Sequence, residues 1–220
     1  MTQLENGLQL LKEELVNMFN LVQMQLGKAQ EAMLRFDKNL AREVVLKENR
    51  VNAYELKIDR DCENIFALYC PVAVDLRFVL AVLKVNSNLE RIGDYAEGIA
   101  RYVVASKTAF GEKILENTQL LRMLDESLSM LADTRLAFEK EDTILARSIF
   151  QKDEVMDNIN MQAAKAVGEC IEADKSHTEQ ALFVFSVIQK LERVGDQAKN
   201  IAEEIIFYVE AKVLKHHTEG

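Results

Sequence analysis

The chain is 220 residues long, 49% hydrophobic and strongly acidic, with a formal net charge of −9, one proline and eight glycines. That acidity excludes nucleic acid as the main partner and direct attachment to an anionic bilayer, because both need a basic face. The longest apolar runs, near 78–83 and 181–188, are far too short to span a membrane, and Glu5, Lys12, Glu13 and Glu14 interrupt the start where an export signal would lie.

So few turn formers predict long helices. Leu4, Leu8, Leu11, Leu15, Phe19, Val22, Leu26, Ala29 and Met33 step by three and four, which predicts a helix over 3–36. The pattern resets at Phe36-Asp37-Lys38-Asn39, with Asp37 as the N-cap of a second helix reaching Tyr69. That helix turns Val44, Val51, Tyr54, Ile58 and Ile65 inward and carries Glu48, Asn52, Glu55 and Asp59 on its polar side. Pro71 ends it, and Pro71-Val72-Ala73-Val74-Asp75-Leu76-Arg77 reads as a tight corner opening the third helix. Ser106-Lys107-Thr108-Ala109-Phe110-Gly111 breaks the periodicity and is the expected joint between halves. A fourth helix is expected over 113–138, a turn at Lys140-Glu141-Asp142, and a fifth helix to Ala173. The turn at 174–179 has Ser176 and Glu179 at capping-box spacing, and a sixth helix is expected over 178–213, followed by a frayed tail, Lys215–Gly220. Cys62, Cys70 and Cys170 are odd in number and lack metal-ligand spacing, so they read as reduced, mostly buried thiols of a cytosolic protein.

One stretch occurs twice. Residues 89–100, Leu-Glu-Arg-Ile-Gly-Asp-Tyr-Ala-Glu-Gly-Ile-Ala, match residues 191–202, Leu-Glu-Arg-Val-Gly-Asp-Gln-Ala-Lys-Asn-Ile-Ala, at eight of twelve positions with an offset of 102. Leu145-Ala146, Asp153 and Asp157 likewise echo Leu40-Ala41, Glu48 and Asn52 at an offset of 105, so the preceding helix is repeated too. The duplication predicts an all-α fold of six long antiparallel helices, forming two three-helix bundles related by a pseudo-twofold, over residues 1–108 and 109–220. Gly93 and Gly195, at the edge of the apolar seam, read as points of close helix approach.

Glu90/Asp94 and Glu192/Asp196 are four apart on one helix face, expected on the outer side away from the seam. With Glu48/Asn52 and Asp153/Asp157 they make four polar pairs at matched places, which adjacent helices can bring to one shallow groove in each half. Clustered carboxylates repel unless protonated or bridged by a cation, and oxygen-only ligands favour Mg, Ca or Mn, with iron or zinc when supply allows. Geometry alone leaves a cation site and a solvated acidic groove equally open; Asn52, neutral where the other half has Asp157, makes the first half the weaker candidate. Arg91 and Arg193 are expected in interhelix ion pairs. No phosphate-binding loop or nucleophile elbow appears, and His177, His216 and His217 lie at a turn and in the tail, away from any carboxylate pair. A carboxylate-bridged metalloenzyme, an oxidase or hydrolase, and a purely structural scaffold are the alternatives to a binding function.

The doubled Leu-Glu-Arg-[Ile/Val]-Gly-Asp-x-Ala-x-x-Ile-Ala, with Pro71-Val72-Ala73-x-Asp75-Leu76-Arg77 before the first copy, resembles the PhoU family of bacterial phosphate-transport regulators over nearly the whole chain. The resemblance implies two three-helix bundles, often a homodimer, cytoplasmic and associated with the inner membrane only through protein partners. It implies a non-enzymatic negative regulator of phosphate uptake and of the starvation response. Its partners would be the ATPase subunit of a phosphate ABC transporter and a sensor histidine kinase. It also implies metal on the bundle surface, at Glu48, Glu90 and Asp94, then Asp153, Asp157, Glu192 and Asp196, with the ion (Fe, Zn, Mg, Mn or Ca) left open. Asn52 in place of the usual Asp, and Gly98 where the second copy has Asn200, are departures confined to the first half.

Overall fold

A computed structural model describes residues 2–213 and contains, among them, seven α-helices and no strand. They are α1 (Gln3–Arg35), α2 (Lys38–Tyr69), α3 (Ala73–Ala105), α4 (Glu112–Asn117), α5 (Leu120–Lys140), α6 (Thr143–Ala173) and α7 (Thr178–Glu210). The expected frayed tail, with His216 and His217, lies outside the described residues.

The hairpin joining the first two helices of each half is built twice from the same parts. Phe36 closes α1 with φ 52°, and the Asp37 side chain accepts the Asn39 and Leu40 N–H groups at 2.9 and 3.0 Å. Glu141 closes α5 with φ 56°, and Asp142 accepts the Ile144 and Leu145 N–H groups, both at 3.0 Å. A left-handed residue followed by an aspartate cap stops one helix and starts the next with no glycine. The proline corner forms as expected, with α2 ending at Tyr69 and α3 opening at Ala73.

Three expectations are corrected. The fourth helix breaks at Thr118–Gln119 into α4 and α5, so there are seven helices instead of six. Gln119 adopts φ 55°, and the Thr118 hydroxyl donates back to the Ile114 carbonyl at 2.6 Å, a local bond that competes with helix continuation. The Ser176–Glu179 capping box does not form; instead Asp174 accepts from both the N–H and the hydroxyl of Ser176 in a 3-10 turn, Lys175–His177. Of the cysteines only Cys62 is buried; Cys170 is half-buried and Cys70 exposed.

Helices α1, α2 and α3 pack on one another, as do α5, α6 and α7. Across the middle, α1 meets α5 and α3 meets α7. Two of the three helix pairs related by the repeat thus meet across the middle, while α2 and α6 lie apart on the outside. Phe19, Phe78, Phe138 and Tyr208 form an aromatic knot there, with ring centroids 5.7–6.2 Å apart. The buried apolar side chains of both bundles form one continuous core.

Candidate functional site

The duplicated motif lies on α3 and α7, and in both halves it faces the middle of the neighbouring helix, α2 or α6. The glycines set the approach. A Cβ on Gly93 would stand 2.9 Å from Val51 Cγ1 and 3.3 Å from both Glu48 carboxylate oxygens. A Cβ on Gly195 would stand 3.2 Å from Asp153 Oδ1 and 3.2 Å from Met156 Sδ. Val51 and Met156 occupy matching places, as do Glu48 and Asp153. Each glycine therefore makes room for the carboxylate of the helix opposite, which is more specific than the general close packing its sequence position implies.

That approach buries acids expected on an outer face. Glu48 is 6% exposed and Asp153 2%. Glu90, Asp157, Glu192 and Asp196 are half-buried along the same seam, and Asp94 is exposed at its mouth. Burial, together with Asp94, Glu97 and Glu90, pushes the Glu48 carboxyl up from 4.5 to about 7. Glu90 and Asp94 are raised for the same reason, burial first and neighbouring carboxylates second. In the other half Asp157, Glu192 and Asp196 are raised by burial first, then Asp157 and Asp196 by Asp153 and Glu192 by Asp196. Carboxylates withdrawn from water are short of positive charge, and a lysine approaches each groove: Lys190 lowers Asp94 in the first, and Lys199 lowers Asp157 and Asp196 in the second.

The halves meet that shortage differently. Lys199 Nζ donates to Asp153 Oδ2 at 2.6 Å, and Asp153, Asp157 and Asp196 hold its ammonium above the ordinary lysine range. Both Glu48 oxygens are buried with no hydrogen-bond partner. The residue corresponding to Lys199 is Glu97, whose carboxylate turns along its own helix to Arg101 at 2.6 Å. Arg91 and Arg193 are exposed and make no ion pair among the described residues, contrary to expectation; Arg91 acts through space on Glu90, and Arg193 on Glu192 and Asp196, each on its own helix.

The structure therefore brings Glu48, Glu90 and Asp94 to one groove and Asp153, Asp157, Glu192 and Asp196 to the other. It adds three residues that pattern reading passed over: Glu97, Lys199 and the buried Asn86, whose amide donates to the Glu55 carbonyl and to Asp59, both at 3.0 Å. Glu97 and Lys199 were findable, as one of the four mismatches between the two motif copies. Among the described residues no three acidic, histidine or cysteine side chains already converge on one point. The donors are all carboxylate oxygens, the chemistry of hard cations. In the first groove both Glu48 oxygens lack a donor; in the second the equivalent carboxylate holds an ammonium. His177, the one histidine among the described residues, pairs with Asp174 at 3.0 Å on an exposed turn remote from both grooves.

The sequence model described as PhoU domain matches the chain twice, over residues 15–103 and 120–205. The chain is 31% identical over 217 residues to a Thermotoga maritima protein named phosphate-specific transport system accessory protein PhoU homolog 1, covering 98% of this chain and 93% of that one. It is 32% identical over 209 residues to the phosphate-specific transport system accessory protein PhoU of Edwardsiella tarda, covering 95% and 85%. Among solved structures, PhoU from Pseudomonas aeruginosa superposes with a TM-score of 0.86 at 28% identity, covering 96% of this chain and 100% of that chain. The phosphate transport system regulatory protein PhoU from Streptococcus pneumoniae gives 0.84 at 30% identity, covering 96% and 99%.

Proposed function

Because this chain belongs to the PhoU family, we propose that it regulates a phosphate transport system and catalyses nothing itself. The observation that carries this reading is the double match of the family domain, one copy in each bundle, together with relatives named as accessory proteins of phosphate-specific transport. In this reading the protein restrains phosphate uptake and the starvation response. It works at the cytoplasmic side of the inner membrane, as a homodimer, through contacts with the ATPase subunit of a phosphate ABC transporter and with a sensor histidine kinase. Two features support docking onto proteins in preference to lipid: the net charge of −9 and the lack, among described residues, of a helix long and apolar enough to cross a membrane. The relatives named as accessory proteins of phosphate-specific transport support a regulatory role in preference to turnover.

The test is deletion of the gene in phosphate-replete cells, measuring labelled phosphate uptake and a starvation-promoter reporter. Both rise in the deletion strain and return to baseline when the chain is supplied again. Unchanged uptake with a silent reporter would overturn the regulatory reading. Crosslinked capture that recovers neither the transporter ATPase nor the kinase would overturn the proposed contacts.

A further inference from the structure

Where α2 begins and α3 ends, the seam between them opens into a pocket of ≈ 330 Å³, lined by Arg42, Val45, Leu46, Arg101, Val104 and Ala105. Leu46 is 71% exposed there, and Val104 is only half-buried. Lys38 lies one turn before Arg42 on the same helix face. Its ammonium sits over the Phe36 ring, and Arg42 donates to the Asn39 side chain at 2.9 Å. Neither cation meets a carboxylate among the described residues, in a chain whose net charge is −9.

The second bundle contains the same place closed. By the repeat, Lys38, Arg42 and Val45 correspond to Thr143, Arg147 and Phe150, and Val104 corresponds to Ile206. There the Glu210 carboxylate accepts from Thr143 and, at 2.9 Å, from Arg147. Phe150 puts a ring where Val45 has two methyl groups, and Ile206 is fully buried. The cause is helix length. Helix α7 continues to Glu210, past Phe207, the counterpart of Ala105, where α3 stops. The counterpart of Glu210 is Thr108, which lies beyond α3 and accepts from Gln180 at 2.6 Å. The first bundle thus keeps two cations facing a missing acceptor, and apolar side chains facing a missing ring.

We propose that this open end of the α2–α3 seam docks a segment of a partner protein that presents a carboxylate beside an aromatic side chain. The carboxylate takes the place that Glu210 holds in the second bundle, on Arg42 and Lys38, and the ring covers Val45, Leu46 and Val104. Charge-assisted hydrogen bonds to Arg42 fix the segment's register, and burial of the apolar wall adds affinity. The acidic remainder of the surface repels such a segment, so the two cations also select where it lands. The site rests on the reading that this protein works by docking onto others, and it names the chemistry that one of them must carry.

The probe is a peptide copying residues 206–211, Ile-Phe-Tyr-Val-Glu-Ala, blocked at both ends so that the glutamate is its only charge. It is titrated into the full chain labelled at Val and Leu methyl groups, with binding followed by NMR and folding verified by circular dichroism. Shifts are expected at Val45, Leu46 and Val104. Arg42→Glu, at an exposed position, weakens binding by about tenfold or more, as does glutamine for glutamate in the peptide. A lysine in the peptide restores binding to Arg42→Glu. No shifts, shifts centred elsewhere, or equal binding of the glutamine peptide would overturn the proposal. Shifts of those methyls with protein concentration alone would also overturn it, by assigning the pocket to a second copy of this chain. Failure of the peptide leaves the uptake change in a deletion strain standing, and an unchanged uptake leaves peptide binding measurable, so the two readings fail separately.

Discussion

Adding one methyl group at Gly93 tests whether the glycine is there for the approach of two helices. The Cβ of Gly93→Ala would stand 2.9 Å from Val51 Cγ1, well inside the ~3.5–4 Å at which carbon atoms pack best. Val51 is fully buried and β-branched, so it has little freedom to rotate away, and α2 and α3 must separate instead. Overpacking of this kind costs ~1–3 kcal/mol. Alanine recovers ~1 kcal/mol of helix propensity, leaving a net loss of ~0–2 kcal/mol. Gly168, inside α6, has nothing within 4 Å of an added Cβ, so Gly168→Ala keeps the propensity gain and stabilises by ~0.5–1 kcal/mol. Urea unfolding followed by circular dichroism in EDTA gives both values under one set of conditions. Opposite signs are expected. If Gly93→Ala matched or exceeded the wild-type stability while Gly168→Ala rose, the close approach would not be what glycine serves.

Asp37→Ala and Asp142→Ala each remove an N-cap with the same geometry, so each costs ~1 kcal/mol in the same unfolding assay, and the double variant shows the sum. In EDTA, the Glu48 carboxyl keeps its proton in the folded chain up to about pH 7, whereas an unfolded glutamate releases it near 4.5, so the native state binds the extra proton between those values. Stability therefore falls as pH rises through that window, and Glu48→Gln removes ~2–3 kcal/mol of the fall between pH 5 and 8; an unchanged pH slope in that variant would refute the burial of a strained acid. Burial pushes the Cys62 thiol up to about 12, so a thiol reagent at neutral pH modifies exposed Cys70 first and leaves Cys62 unreacted until the chain unfolds, as peptide mass mapping would record.

The helices were legible because their apolar residues keep a period near 3.6 for thirty residues at a time, and Pro71 and Asp37 punctuate them with unambiguous chemistry. The break at Gln119 was not, because the apolar spacing through Leu115, Leu121 and Leu124 carries across it and no glycine marks the left-handed residue. The acids of the two grooves were legible as matched spacings on α2, α3, α6 and α7. Their burial was not: on a helical wheel Glu48 falls on the polar side, and only the approach of Gly93 turns that side inward. The Lys199–Asp153 pair joins residues 46 apart on different helices, a contact that periodicity within one helix has no means of encoding.

The unbroken core across the middle of the molecule has a consequence for how the halves respond. Helix α3 carries the N-terminal groove on one flank and lies against α7 on another, and α7 carries the second groove in turn. The two form a common spine. Severing the chain at the 106–111 joint would strip the aromatic knot of half its members and bare long greasy flanks on both fragments. A molecule built by doubling around one shared core is no longer two separable halves, and thermal unfolding is expected as one cooperative transition.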